Sequence, residues 1–151
     1  MREWGLAIEC FQKAINYTLY ETPHFAYNNM GLVYYNKGDY QKAIENFKEA
    51  IVLFPAYSLC YENLARAYEV IKNWELAIDA YKKSIDYDPG YPASHLNLAK
   101  LYIKLNRATD AVRELKLTIE IDPKGRYGKE ARRLLEQLKL KGSGTRGQRS
   151  E

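Results

Sequence analysis

Residues 24–57 read HFAYNNMGLVYYNKGDYQKAIENFKEAIVLFPAY. Residues 58–91, SLCYENLARAYEVIKNWELAIDAYKKSIDYDPGY, follow the same layout, and residues 92–125 follow it again. Tyr34, Tyr68 and Tyr102 recur at an interval of 34 residues. So do Asn29, Asn63 and Asn97, then Ala43, Ala77 and Ala111, then Pro55, Pro89 and Pro123. Self-similarity at a fixed period of this length marks a stacked-repeat protein, because one unit cannot bury its apolar face alone.

Numbering each unit from 1 places Tyr27, Met30, Gly31 and Tyr34 at positions 4, 7, 8 and 11. The second unit has Tyr61, Leu64, Ala65 and Tyr68 there, and the third has His95, Leu98, Ala99 and Tyr102. The spacing i, i+3, i+4, i+7 is one apolar stripe on a helix. Position 8 is Gly or Ala and position 20 is always Ala, small enough for two helices to approach closely. Phe47, Tyr81 and Leu115 at position 24 fill the space between them. The proline at position 32 stops each second helix. The reading is two helices per unit, over 24–57, 58–91 and 92–125.

Residues 1–23 carry half a unit more. Trp4, Ala7, Phe11 and Ala14 match positions 17, 20, 24 and 27 of a second helix. The step from Ala7 to Ala43 is 36 residues, so two extra residues lie within 17–23. A chain that opens in mid-repeat is expected to continue upstream. At the other end, Tyr127, Ala131, Leu134, Leu135 and Leu138 predict a capping helix over 126–141, with Arg126, Lys129, Arg132, Arg133 and Glu136 on its polar face. The Gly-, Ser- and Arg-containing tail, 142–151, has nothing to bury and is expected to be disordered.

This pattern resembles the tetratricopeptide repeat. The resemblance implies an all-α, right-handed α-α superhelix of antiparallel helix pairs, and a non-enzymatic scaffold that takes a partner peptide or helix in its concave groove. In that family, position 6 lines the groove. Asn29, Asn63 and Asn97 lie well away from the packing stripe, and an amide can pair with both N–H and C=O of an extended peptide. The alternative is that these amides only bridge neighbouring helices. Positions 2, 9 and 13 complete the strip: Phe25, Leu32 and Asn36, then Leu59, Arg66 and Val70, then Ala93, Lys100 and Lys104. The strip runs from apolar to basic, which predicts a partner with apolar and acidic segments. The carboxylate clamp of chaperone-binding members would need basic and amide residues where this chain has Asn28, Leu32, Asn63, Ala93 and Asn97. Only Asn63 matches, so that mode is not expected.

The junction Tyr20-Glu21-Thr22-Pro23-His24-Phe25-Ala26-Tyr27-Asn28-Asn29-Met30-Gly31, with its two-residue insertion, resembles the PilF/PilW/Tgl-type lipoproteins of type IV pilus biogenesis. That resemblance implies a role in secretin assembly and a periplasmic location at the outer membrane. Their lipid-carrying cysteine has no counterpart here, since Cys10 falls within a helix. Without the pilotin resemblance, a cytoplasmic location would be the default.

Composition narrows the rest. The chain has 151 residues, 46% hydrophobic and 28% charged, with a net charge of +4. No apolar run is long enough to span a bilayer, and no apolar h-region of a signal peptide follows Met1. Cys10 and Cys60 fall on helices three packing steps apart, about 20 Å or more at the usual helix spacing. A disulfide needs a far shorter reach, so both are expected as free thiols. No Cys/His spacing resembles a zinc site, no glycine-rich phosphate loop is present, and Asp86 and Asp88 simply precede a proline. No cofactor, metal or catalytic role is expected, and His95 falls in the core stripe. Two alternatives stay open. The half repeat at the N-terminus could drive homo-oligomerisation. The basic capping helix and tail could serve a nucleic-acid-associated adaptor, although no aromatics interleave with those charges.

Overall fold

A computed structural model describes residues 2–16 and 22–144. Among the described residues all regular structure is helical. The order is α1 Arg2–Asn16, α2 Pro23–Lys37, α3 Tyr40–Leu53, α4 Ser58–Val70, α5 Trp74–Tyr87, α6 Pro92–Lys104, α7 Ala108–Ile121 and α8 Arg126–Gly144. The chain divides between Asp88 and Pro89 into two units, one holding α1 to α5 and the other α6 to α8.

The same short turn links the two helices of every repeat. Gly38, Lys72 and Asn106 each take a positive φ, of 86°, 60° and 58°. The next backbone N–H then reaches back to the carbonyl of the periodic tyrosine: Asp39 to Tyr34 at 2.9 Å, Asn73 to Tyr68 at 2.9 Å, Arg107 to Tyr102 at 2.8 Å. A left-handed residue closing a helix in this way satisfies otherwise orphaned carbonyls. Only the first repeat uses glycine, which adopts that conformation without steric cost. The second helices then start on side-chain caps where the sequence supplies them. Asp39 accepts from the Lys42 N–H at 3.3 Å, and Asn73 accepts from the Leu76 N–H at 3.5 Å.

In the first unit α3 packs on both α2 and α4, α5 packs on α4, and α1 packs on α2. The invariant alanines Ala43 and Ala77 and the large residues Phe47 and Tyr81 are all fully buried. Burying side chains of that size contributes about 1.5–3 kcal/mol each. A Cβ placed on Gly31 would stand 2.5 Å from the Phe47 ring, which explains glycine where the other repeats carry alanine. The Tyr81 hydroxyl donates to Glu69 at 2.6 Å. Burial, with that carboxylate beside it, pushes the Tyr81 phenol far up from its ordinary value.

In the second unit α7 packs on α6, and α8 packs on α7 and reaches α6. Leu96, Ala99, Leu115 and Ala131 are its core, with Tyr127, Leu134, Leu135 and Leu138 of α8 against them. The link into α8 is built around Asp122, whose carboxylate accepts from the N–H groups of Tyr127 at 3.0 Å and Gly128 at 3.4 Å. Gly128 can have no side chain: a Cβ there would lie 1.8 Å from the Asp122 carbonyl oxygen. α8 continues to Gly144, three residues past the expected stop. Gly142 weakens a helix by only about 1 kcal/mol, and no proline follows to end it. The disorder expected of the tail is therefore corrected for 142–144, while 145–151 lie outside the described residues, as do 17–21 at the expected two-residue insertion.

Candidate functional site

The strip read from positions 2, 6, 9 and 13 lies on the first helices of the repeats. In the first unit these are α2 and α4, which touch each other. Phe25 is 43% exposed, Leu59 39% and Val70 41%. Asn29, Asn36 and Arg66 are exposed, and Leu32 is half-buried. The Arg66 guanidinium lies 5.3 Å from the centre of the Tyr35 ring, so its position is set by a cation–π contact across α2 and α4. The surface therefore combines apolar side chains, free amides and one oriented cation.

The three asparagines do not stand in equivalent places. Asn29 is exposed. Asn63 is buried and donates from its amide nitrogen to Asn28 Oδ1 at 3.0 Å. This is the helix-bridging geometry, and it joins position 6 of α4 to position 5 of α2. Asn97, in the second unit, is half-buried and engaged. Asn63 was also the one residue matching the carboxylate clamp, and its burial leaves no clamp-like cradle in this unit.

In the second unit Ala93 is buried while Lys100 and Lys104 are exposed. Lys100 Nζ stands 3.7 Å from Glu130 on α8, and Glu130 also receives two hydrogen bonds from Arg133, at 3.0 and 2.8 Å. Those bonds hold its carboxyl below the ordinary value. The basic character expected of this strip is thus partly neutralised by α8.

The second unit also contains a buried His95–Glu114 contact that the periodicity did not reveal. His95 Nδ1 meets Glu114 Oε2 at 2.8 Å, and its Nε2 meets the Pro89 carbonyl at 3.1 Å. Both ring nitrogens are thus engaged by oxygens of the fold. Burial pushes the Glu114 carboxyl up, but hydrogen bonds from His95 and Arg113 outweigh it, and the group sits below its ordinary value. The pair is sealed in the helix interface, so its role is structural.

Each unit carries further features. His24, Phe25, Phe54 and Tyr57 form a ring cluster at the start of α2 and the turn after α3. Sequence reading placed only Phe25 in a site. On α1 Trp4 is 37% exposed and Leu6 61%. A cleft of about 500 Å³ between α7 and α8 is lined by Val112, Leu135 and Leu138, with Lys116 and Lys139 at its edge. Cys10 is an exposed free thiol and Cys60 a buried one. Cys60 donates to the Phe47 carbonyl at 3.3 Å, and burial pushes its thiol up to about 12. Among the described residues no group of three His, Cys, Asp or Glu could hold a metal ion, and no helix is long and apolar enough to cross a membrane.

Paired helices of 13–15 residues, joined by one repeated turn and sealed by small-against-large contacts, define the class of helical-repeat proteins. Within it, tetratricopeptide-repeat profiles match residues 24–57 and 72–138, about two thirds of the sequence together, and the chain belongs to the tetratricopeptide-repeat family. No curated protein matches the sequence significantly. Among solved structures, one of MamA is similar with a TM-score of 0.73 and 22% identity, covering 95% of this chain and 91% of that one. The Yersinia enterocolitica type III secretion translocator chaperone SycD gives a TM-score of 0.74 and 22% identity, covering 80% and 86%. The first tetratricopeptide domain of Spaghetti (RPAP3), bound to an HSP90 peptide, gives 0.72 and 17%, covering 80% and 93%. At these identities the likeness is one of fold.

Proposed function

We propose that this protein is a non-enzymatic interaction scaffold, and that the α2–α4 face binds an extended segment or helix of a partner protein. The observation that carries the reading is the exposure of Phe25, Leu59 and Val70 along one strip, beside an arginine already held in place. Packing buries Met30, Phe47, Leu64, Tyr68 and Tyr81 of the same repeats, whereas Phe25, Leu59 and Val70 are left out. Aromatic and arginine side chains are enriched at the centres of protein interfaces, where apolar neighbours exclude water. Structural relatives include a chaperone and a peptide-bound domain, which supports the same reading. Affinity capture from the source cell tests it, comparing wild type with the Arg66→Glu/Val70→Asp variant at equal helicity. A partner captured by the wild type and lost by the variant is expected. Partners retained equally by both would move the binding surface elsewhere.

The Thr22–Gly31 junction favours a pathway for this scaffold, the assembly of an outer-membrane secretin in type IV pilus biogenesis. A secretin or pilus component among the variant-sensitive partners is the expected result. A different variant-sensitive partner would keep the scaffold and discard the pilus role. Self-association through α1 is the second reading, favoured by the exposure of Trp4 and Leu6. Sedimentation of the Leu6→Asp variant against wild type tests it: a concentration-dependent oligomer lost in the variant is expected.

A further inference from the structure

The turn that ends each repeat is occupied differently in the first. Position 31 is Asp88 in the second repeat and Asp122 in the third, but Phe54 in the first. Asp122 caps the following helix with its carboxylate. Phe54 cannot, and Tyr57 at the start of α4 makes no side-chain cap either. Instead Phe54 is 44% exposed, and its ring lies 4.9 Å from His24 and 6.2 Å from Tyr57. Phe25, 43% exposed, lies 4.3 Å from His24 and 5.4 Å from Tyr57. Four rings from two separate segments thus form one solvent-facing cluster. An exposed aromatic thus stands where the other repeats carry an aspartate, of which Asp122 caps the following helix while α6, after Asp88, has no side-chain cap.

The two segments that supply these rings carry no acidic or basic residue other than His24. Residues 22–36 and 50–61 contain no Asp, Glu, Lys or Arg, in a chain that is 28% charged. The stretch equivalent to 50–61 contains Asp86 and Asp88 in the second repeat, and Glu120, Asp122, Lys124, Arg126 and Lys129 in the third. The fold brings the two neutral stretches together at the cluster. Phe25 also begins the strip on α2, so the patch continues the proposed binding surface.

We infer that the His24–Phe25–Phe54–Tyr57 cluster is an anchor site for an uncharged segment of the partner protein carrying an aromatic or large aliphatic side chain. A charged segment would lose hydration against this patch with no counter-charge to replace it. Rings already packed edge to face lose little conformational freedom when an apolar side chain docks on them. The inference rests on the proposed scaffold role and names the chemistry of one end of its ligand.

The probe is a phage-displayed library of random short peptides, selected on the full chain and measured by titration against three proteins. These are wild type, Phe54→Asp, and Arg66→Glu/Val70→Asp. Phe54→Asp places at position 31 the residue that the other repeats carry, so unchanged or raised thermal stability is expected. Enriched peptides should share an uncharged core with an aromatic or large aliphatic residue, and Phe54→Asp should weaken them at least about tenfold. Peptides that lose binding in Arg66→Glu/Val70→Asp but bind Phe54→Asp as tightly as wild type would overturn the anchor and leave the scaffold standing. Peptides indifferent to both variants would overturn both. If Phe54→Asp instead abolishes only self-association in sedimentation, or only flotation with phosphatidylcholine vesicles, the patch belongs to a second copy or a lipid surface, and the inference fails.

Discussion

The first and third repeats solve the same packing problem with opposite chemistry. The first pairs Gly31 with Phe47, bridges its helices with neutral amides at Asn28 and Asn63, and ends its turn in exposed rings. The third pairs Ala99 with Leu115, seals a hydrogen-bonded His95–Glu114 contact, and ends its turn on a capping carboxylate. The backbone turn between the paired helices is nonetheless the same, down to the tyrosine carbonyl that closes it. The repeat fixes the frame, and the residues between its fixed points are free to specialise. Neutral surface gathers in the first repeat, while buried charge gathers in the third.

The largest test of that difference is Glu114→Ala. It leaves a buried His95 ring nitrogen without its partner and opens a cavity beside it, and should cost about 3–5 kcal/mol in urea unfolding. Glu114→Gln separates charge from shape. Because the Glu114 carboxyl is held below its ordinary value of 4.5 in the fold, its contribution is fully present above that value. It is lost as the pH falls through the lower, folded-state value. The glutamine variant should therefore flatten the acid limb of stability against pH, and an unchanged slope would assign the acid sensitivity elsewhere.

Gly128→Ala comes next. The clash is with a backbone carbonyl, which cannot rotate away, so a loss of about 3 kcal/mol and reduced helicity from α8 are expected. Gly31→Ala should cost less, about 2 kcal/mol, because the obstacle is a ring able to shift. Adding Phe47→Leu to it installs the third repeat's small-and-large pair in the first. A double-mutant cycle should then show favourable coupling, and strict additivity would mean that the two repeats are not interchangeable. The smallest effect expected is a gain. Lys72 holds a φ of 60° where the first repeat has glycine, so Lys72→Gly should raise stability by up to about 1 kcal/mol.

Much of the fold was legible because its determinants recur. Ala43, Ala77 and Ala111 announce a tight helix contact three times over, and each is completely buried. What did not repeat was harder to read. His95 at position 4 and Glu114 at position 23 are each ordinary alone. The signal was that both positions turn ionisable in the same unit, where the first has Tyr27 and Asn46 and the second Tyr61 and Ala80. The asparagine bridge uses Asn28 rather than the periodic Asn29, since a step of about 100° leaves two adjacent positions competing for the same neighbour. Helical phase picks out Phe25, Asn29, Leu59 and Arg66 as exposed but not the burial of Asn63 and Ala93, and the ring cluster at Phe54 depends on two segments meeting and has no periodic signature. The end of α8 went unread because no proline marks it.

Cys60 supplies one more consequence. Its sulfur is covered by the contact of α4 with α3, bonded to the Phe47 carbonyl, and kept protonated by burial. A thiol reagent can reach it only when that contact parts. With Cys10 replaced by serine, the rate of Cys60 labelling would count those partings directly, giving the molecule an internal clock for local opening at the seam between its first two full repeats.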